Sequence, residues 1–216
     1  MSYNISLKEA ERKVFHSAVN DGLWDIFLGA FFLMFAIAPF LSESMGDFWS
    51  SAIFLPVWLV VYLLIRWTRK TLVAPRIGVV KFGTTRITKL KRFSIIMLVF
   101  NFIVLALGFW AAVSINRASG QAIPYIFSLI LLAGFSLAAF FLEFYRLYLY
   151  GLLVGLAPVL GEWLWENANV THHGYPITFG VVSGIMILVG LSIFVRLLQT
   201  NPVPKNDLSE DFHDAQ

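Results

Sequence analysis

The sequence contains no cysteine among its 216 residues, and only 13% of those residues are charged. The absence of cysteine excludes disulfide bonds, thiolate metal ligands and cysteine nucleophiles. Soluble domains carry about 25% charged residues, so a water-soluble globule of this composition would lack the polar groups needed to cover its exterior. With 58% hydrophobic residues and a mean hydropathy of +0.75, the chain is predicted to be an integral membrane protein.

Motifs that carry enzyme chemistry are also absent. The sequence has no GxSxG or HExxH pattern, no glycine-rich phosphate loop ending in Lys-Ser or Lys-Thr, and no nucleic-acid-binding signature. We therefore expect no cofactor and no nucleic-acid partner, and enzymatic activity is the less favoured class of function.

The apolar residues are concentrated in six segments of roughly the 20 residues needed to cross a bilayer, the fifth being slightly short. The predicted spans cover residues 23–41, 49–65, 94–113, 125–142, 152–166 and 175–198, within a transmembrane domain of residues 22–198. The fold class is therefore all-α, a polytopic membrane protein with six transmembrane helices. Ala36-Ile37-Ala38 imitates a signal-peptide cleavage site, but the apolar segment is longer than a signal's, so a retained helix is expected.

Two polar segments flank this domain. Residues 1–21 are predicted to form a cytoplasmic, interfacial amphipathic segment, because Ser6 and Glu9 have capping-box spacing and apolar residues recur at helical intervals. Residues 199–216 form an acidic tail that is predicted to be disordered.

The most informative segment is the basic loop at residues 66–93, which holds nine of the sixteen Lys and Arg residues. Lys and Arg are retained on the cytoplasmic side of membrane proteins, so this loop sets the orientation of every span. With six spans and both termini cytoplasmic, fifteen basic residues lie inside and only Arg117 outside. The expected location is a membrane that the chain crosses several times, the inner (plasma) membrane if the source is bacterial.

The internal structure of this loop is left open by the sequence. Pro75 disfavours helix at Ala74, and residues 77–82 are rich in β-forming types, which suits a small hairpin. The alternative is that Ile87, Leu90 and Phe93 begin a helix that continues into the third span. A tight turn between spans four and five is placed at residues 146–151.

The basic loop is also the main candidate for binding. Anionic lipid headgroups are the expected partners, with a protein partner or a homo-oligomer as further candidates. The candidate contact residues are Arg76, Lys81, Arg86, Lys89, Lys91 and Arg92. At the inner membrane rim, where Asp21, Glu143, Arg146 and Arg196 also lie, an ion pair between Asp25 and Arg66 is predicted, since pairing spares the desolvation of both groups.

Few polar residues lie inside the predicted spans. Asn101 in span three and Glu162 in span five are candidates for a polar path, although an amide inside a span more often bonds a neighbouring helix. Glu162, Glu166, His172 and His173 form a weak candidate metal site at the outer side. Gly151 with Gly155, and Gly180 with Gly184, have GxxxG spacing and predict contact between spans five and six.

These observations leave three hypotheses of function. The first is a small-solute or ion-coupled permease that uses Asn101 and Glu162. The second is a non-catalytic membrane subunit or sensor that binds lipid or protein through the basic loop. The third, less favoured, is a metal-dependent membrane enzyme.

Overall fold

The computed structural model describes residues 21–77, 84–114 and 122–202, and these ranges fold entirely as helices joined by short turns. The α-helices are Leu23–Met45, Asp47–Ala52, Phe54–Thr68, Ala74–Ile77, Thr84–Ser114, Ile123–Leu142, Arg146–Ala168 and Tyr175–Thr200, with a π-helical turn at Arg69–Val73 and a 3₁₀ turn at His172–Gly174.

Six helical segments are long and apolar enough to cross a membrane, as the sequence predicts. In chain order they are Leu23–Met45, Asp47–Arg76, Thr88–Phe109, Ile123–Leu142, Arg146–Ala168 and His172–Thr200, called here the first to sixth spans. Most are longer than the apolar segments alone indicate, because helix continues into the polar flanks. The described part of the chain is therefore all-helical, and its six apolar helices are those of a multi-pass membrane protein.

The core is formed by the first, fourth, fifth and sixth spans. Phe179 of the sixth span is fully buried, and its ring centroid lies 5.1 Å from that of Phe35 and 6.4 Å from that of Phe127. Met186 and Val154 are also fully buried in the same cluster. Close-packed aromatic and aliphatic side chains thus fill the centre of the bundle.

Two glycines allow the fourth and fifth spans to pack closely together. A Cβ at Gly151 would lie 2.6 Å from Phe135, and one at Gly155 would lie 2.6 Å from Leu132. The Ser128 hydroxyl also donates a hydrogen bond to the Gly155 carbonyl. The prediction that this GxxxG pair faces the sixth span is wrong, because its small surface is occupied by large side chains of the fourth span.

The predicted contact between spans five and six does occur, but through other residues. A Cβ at Gly161 would lie 2.7 Å from the His173 carbonyl, so the backbones approach closely at this end of the two helices. Gly180 faces Ala36 of the first span, and Gly184 has open space where a side chain would be. A glycine pattern reports a helix surface that permits close approach and carries no information about which helix uses it.

The second and third spans lie at the periphery. In the most apolar 18-residue stretch of the third span no residue is buried, and in that of the second span 11% of the residues are buried. The fourth span has the same fraction but packs closely against Gly151 and Gly155 of the fifth. The third span contacts the fourth through Phe93, whose ring centroid lies 5.7 Å from that of Phe141, and through Phe100, which lies against Gly134.

The described parts of the basic loop, residues 66–77 and 84–93, are helical. The predicted hairpin at residues 77–82 lies, except for Ile77, outside the described residues. Helix continues through Ala74 and Pro75, so the prediction of a break before Pro75 is wrong. A π-helical turn at Arg69–Val73 directly precedes Pro75, so the regular α-helical hydrogen-bond pattern that proline would interrupt is already altered there. The helix Thr84–Ser114 confirms the alternative in which Ile87, Leu90 and Phe93 continue into the third span.

The turn between the fourth and fifth spans comes earlier than predicted, at residues 143–145. Glu143 adopts a left-handed conformation with φ of 55°, which ends the fourth span and lets the Phe144 N–H reach the Ala139 carbonyl at 3.2 Å. Arg146 thereby becomes the first residue of the fifth span. The predicted amphipathic segment, up to residue 20, and the tail from residue 203 lie outside the described residues.

Candidate polar sites at the two ends of the bundle

Charged side chains gather where the first, third and fifth spans begin and the second and fourth spans end; we call this the basic end. Asp25, in the first turn of the first span, is completely buried, and its Oδ2 lies 3.3 Å from Nη1 of Arg146 in the fifth span. The Tyr150 hydroxyl lies near the same carboxylate. Within the described structure, neither the hydroxyl nor either Asp25 oxygen makes a hydrogen bond of normal geometry.

Asp21, also completely buried, forms a second ion pair at this end with Arg69, whose side chain is 38% exposed. Its Oδ2 accepts hydrogen bonds from Nε and Nη2 of Arg69 at 2.9 and 2.6 Å, and its Oδ1 accepts the Leu23 N–H at 3.0 Å. Burial raises the pKa of Asp21 above its ordinary value, and the neighbouring Arg69 guanidinium opposes that rise. Arg69 also stands 5.6 Å from the ring centroid of Trp24, so the pair joins the second span to the first.

The two acids are held in place by a close approach of backbones between the first and sixth spans. Gly22 has a φ of 77°, which side-chain-bearing residues rarely adopt, and it packs directly against the Gly190 carbonyl. A Cβ at Gly190 would lie 2.7 Å from the Gly22 carbonyl and 2.9 Å from the Asp25 Cβ. The acids are therefore buried because a helix backbone, rather than solvent, lies against the start of the first span.

A third ion pair connects the remaining spans. Nζ of Lys89, where the third span begins, contacts Oε1 of Glu143, where the fourth span ends. Both side chains of this pair are partly exposed, whereas the acid of each of the other two pairs is completely buried.

The structure changes the predicted pairing at the rim. Asp25 lies beside Arg146 and not beside Arg66, which is exposed on the second span. Arg69, three residues further along, binds Asp21 instead. Asp21, Asp25 and Arg146 were identifiable from the sequence as rim charges, whereas no sequence signal distinguished Arg69 from its basic neighbours.

The other predicted contact residues of the basic loop separate into two groups. Lys89 is engaged by Glu143, and Nη1 of Arg76 donates to the Leu72 carbonyl at 3.1 Å. Lys91 and Arg92 are exposed, as are Arg66 and Lys70, and no acidic side chain of the described residues pairs with these four. Arg86 lies in the helix Thr84–Ser114, and Lys81 lies outside the described residues.

A second polar site, the histidine end, lies at the opposite end of the bundle. Nδ1 of His173 lies 3.0 Å from Oε2 of Glu162, and Nε2 of His172 lies 3.1 Å from Oε1 of Glu43 at the end of the first span. Both histidines have positive φ values, 54° and 52°. Such a conformation costs a non-glycine residue about 1–3 kcal/mol, so the loop is held in a strained shape by its contacts.

The two imidazoles point to different carboxylates, and Glu166 is exposed on the last turns of the fifth span. Among the described residues, no group of three or more His, Asp or Glu side chains is placed to hold a metal ion. The arrangement links the loop between spans five and six to the first and fifth spans.

Asn101 lies apart from both sites. It is exposed on the third span, and its Nδ2 donates to the Met97 carbonyl one turn earlier in its own helix, at 2.7 Å. The expected bond to a neighbouring helix is therefore not formed within the described structure. Nor does a described contact connect Asn101 with Glu162, so the two residues of the predicted polar path are not brought together.

The arrangement as a whole is a helical bundle with two buried acid–arginine pairs at one end and two histidine–glutamate pairs at the other. Comparison of the chain with protein-family models, with curated proteins and with solved structures gives no match.

Proposed function

We propose that the chain is a non-catalytic membrane protein that binds anionic lipid headgroups through the basic end, which faces the cytoplasm. The observation that carries the proposal is the division of the cations into two sets. Arg69, Lys89 and Arg146 are used in ion pairs within the bundle, whereas Arg66, Lys70, Lys91 and Arg92 are exposed without a described acidic partner.

The position of this unpaired set suits a membrane surface. Each Lys or Arg near an anionic leaflet contributes about 1 kcal/mol of attraction. Trp24 and Trp67 are 40% and 63% exposed at the same end, and exposed indoles favour the headgroup region. The four cations lie on the peripheral second and third spans, where lipid has access to them.

Lipid retention during native mass spectrometry tests this proposal. The purified protein is mixed with phosphatidylglycerol or with phosphatidylcholine, and the lipid that stays bound is measured. The neutral variant combines Arg66→Gln, Lys70→Gln, Lys91→Gln and Arg92→Gln. The charge-preserving control combines Arg66→Lys, Lys70→Arg, Lys91→Arg and Arg92→Lys. We expect the neutral variant to lose about tenfold or more of its preference for phosphatidylglycerol, and the charge-preserving variant to keep it. Equal preference in both variants contradicts the proposal.

The orientation is tested separately, because the chain has no native cysteine to interfere with labelling. A single cysteine introduced by Lys91→Cys should be protected from a membrane-impermeant maleimide in intact cells and labelled after permeabilisation. Labelling from outside in intact cells contradicts a cytoplasmic basic end.

A second candidate, an ion-coupled permease, is favoured by one observation, the complete burial of Asp25 in a membrane bundle. Intramembrane acids commonly take part in proton or ion movement. Against it, the centre of the bundle is filled by side chains such as Phe35, Phe127 and Phe179. Proton flux into proteoliposomes loaded with a pH-sensitive dye separates the two candidates. A flux that exceeds that of empty liposomes and is abolished by Asp25→Asn supports the permease. A flux no larger than that of empty liposomes excludes it.

A further inference from the structure

We infer that the third span is the interface of a homodimer, in which the Asn101 side chains of two copies in the same orientation hydrogen-bond to each other. The third span is the starting point because no residue in its most apolar window is buried within the chain. Apart from its contact with the fourth span, its surface is therefore covered either by lipid chains or by a helix of another molecule.

The polar side chain of Asn101 makes contact of this helix face with lipid chains alone unfavourable. The residue is exposed and lies nine positions beyond Arg92, about 13 Å along the helix and well inside the apolar part of the span. One amide hydrogen is used by the Met97 carbonyl, while the side-chain carbonyl and the second amide hydrogen have no partner among the described residues. Hydrocarbon supplies neither a donor nor an acceptor, so these two groups are unsatisfied in a lipid-covered monomer.

A second copy of the chain satisfies both groups at once. A copy in the same orientation carries its own Asn101 at the same depth in the membrane, and a carboxamide is both donor and acceptor. Across a twofold axis each side chain can donate to the other and accept from it. Asparagine at one position of a helix interface fixes register and oligomeric state in this way.

The helix face around Asn101 permits such an approach. Ser94, Asn101 and Gly108 are spaced seven residues apart, so they lie on one side of the helix, and all three are exposed. A Cβ at Gly108 would meet nothing within 4 Å. Phe93 and Phe100, which contact the fourth span, lie on the neighbouring side, and the Ser94–Asn101–Gly108 face is left open.

Oxidative cross-linking of single-cysteine variants in vesicles tests the inference, since a chain without native cysteine can form only intermolecular disulfides between the introduced residues. Ser94→Cys, Asn101→Cys and Gly108→Cys probe the proposed face. Val99→Cys and Ile103→Cys are the matched controls, because both residues are 52% exposed on another side of the same helix. We expect cross-linked dimers for the first set and several-fold less for the controls.

Equal cross-linking of the two sets, a maximum at the control positions, or no cross-linking at all overturns the inference. A second measurement uses dilution of fluorescently labelled protein in vesicles. Asn101→Leu should weaken self-association by about threefold to thirtyfold, the range implied by hydrogen bonds between membrane helices, whereas Phe102→Leu should not. Two results of this measurement contradict the inference: self-association that Asn101→Leu leaves unchanged, and a protein that is monomeric at every dilution. Binding of a different membrane protein to this face of a monomeric chain also contradicts it.

Discussion

Nη1 of Arg146, the first residue of the fifth span, lies 3.3 Å from the completely buried carboxylate of Asp25, in the first turn of the first span. The two residues are 121 positions apart in the sequence, by subtraction of their numbers. Their contact brings the starts of two spans together beside Gly190 of the sixth. The basic end is therefore organised by buried charge as well as by apolar packing.

Removal of Arg146 should be strongly destabilising, because it leaves Asp25 buried without its cation. For Arg146→Gln we expect a loss of about 3 kcal/mol in the free energy of unfolding, the lower part of the range for broken buried pairs. Denaturation in lipid nanodiscs measures it. Arg196→Gln, which changes an exposed arginine of the sixth span, is the matched control and should be nearly neutral.

The same pair predicts strong coupling in a double-mutant cycle. Asp25→Asn combined with Arg146→Gln should recover more than half of the stability lost in Arg146→Gln, because no unpaired charge then remains. If the two single effects simply add, the 3.3 Å contact contributes nothing to stability.

The Asp21–Arg69 pair should make stability depend on pH. Burial raises the pKa of Asp21, so the folded protein keeps the proton at pH values where the unfolded chain has already released it. The contribution of Asp21 to stability is therefore present at low pH and is lost as the pH rises through the pKa of the folded state. Arg69→Gln removes the opposing guanidinium and should raise this pKa further. We expect its cost to be small near pH 4 and about 3 kcal/mol at pH 7.

Unfolding measured across that pH range tests this expectation. Lys70→Gln changes the exposed neighbouring cation and should leave the pH profile as it is in the wild type. A cost of Arg69→Gln that is the same at pH 4 and pH 7 would show that packing against Trp24, rather than charge, is what Arg69 contributes.

Two glycines of the sixth span should respond oppositely to the same substitution. Gly190→Ala places a methyl group 2.7 Å from the Gly22 carbonyl, and we expect a loss of about 1–3 kcal/mol as the first and sixth spans separate. Gly184→Ala meets open space and should be neutral or stabilising, since alanine favours helix. Thermal unfolding of the two variants decides, and equal effects would contradict the backbone contact at Gly190.

At the histidine end, the order of the loop formed by residues 169–174 should depend on the contact of Nδ1 of His173 with Oε2 of Glu162 at 3.0 Å. We expect hydrogen exchange in this loop to quicken by about twofold to fivefold in Glu162→Gln, an effect typical of partly exposed pairs. Glu166→Gln changes an exposed carboxylate of the same helix and should leave the exchange rates unchanged. Equal rates in the two variants would show that the contact does not order the loop.

Some features of the fold follow from local sequence and were predictable. Six apolar segments of sufficient length mark the six spans. The helix that begins inside the basic loop, with Ile87, Leu90 and Phe93, is one of two alternatives that the sequence leaves open. The break expected at Pro75 does not occur, because helix continues through Pro75 directly after the π-helical turn Arg69–Val73. The turn between spans four and five was predicted too late in the sequence, because Glu143 adopts a left-handed conformation that its sequence neighbours do not indicate.

The composition by itself determined that this chain is a helical membrane protein, because so many apolar residues and so few charges leave a bilayer as the only solvent that suits its surface. The tertiary structure alone decided which charges meet: Asp25 with Arg146, Asp21 with Arg69, Glu162 with His173. It also decided that Gly151 and Gly155 face the fourth span. The physical reason is that apolar length acts on each helix separately, whereas the choice of partner depends on how all the helices pack together.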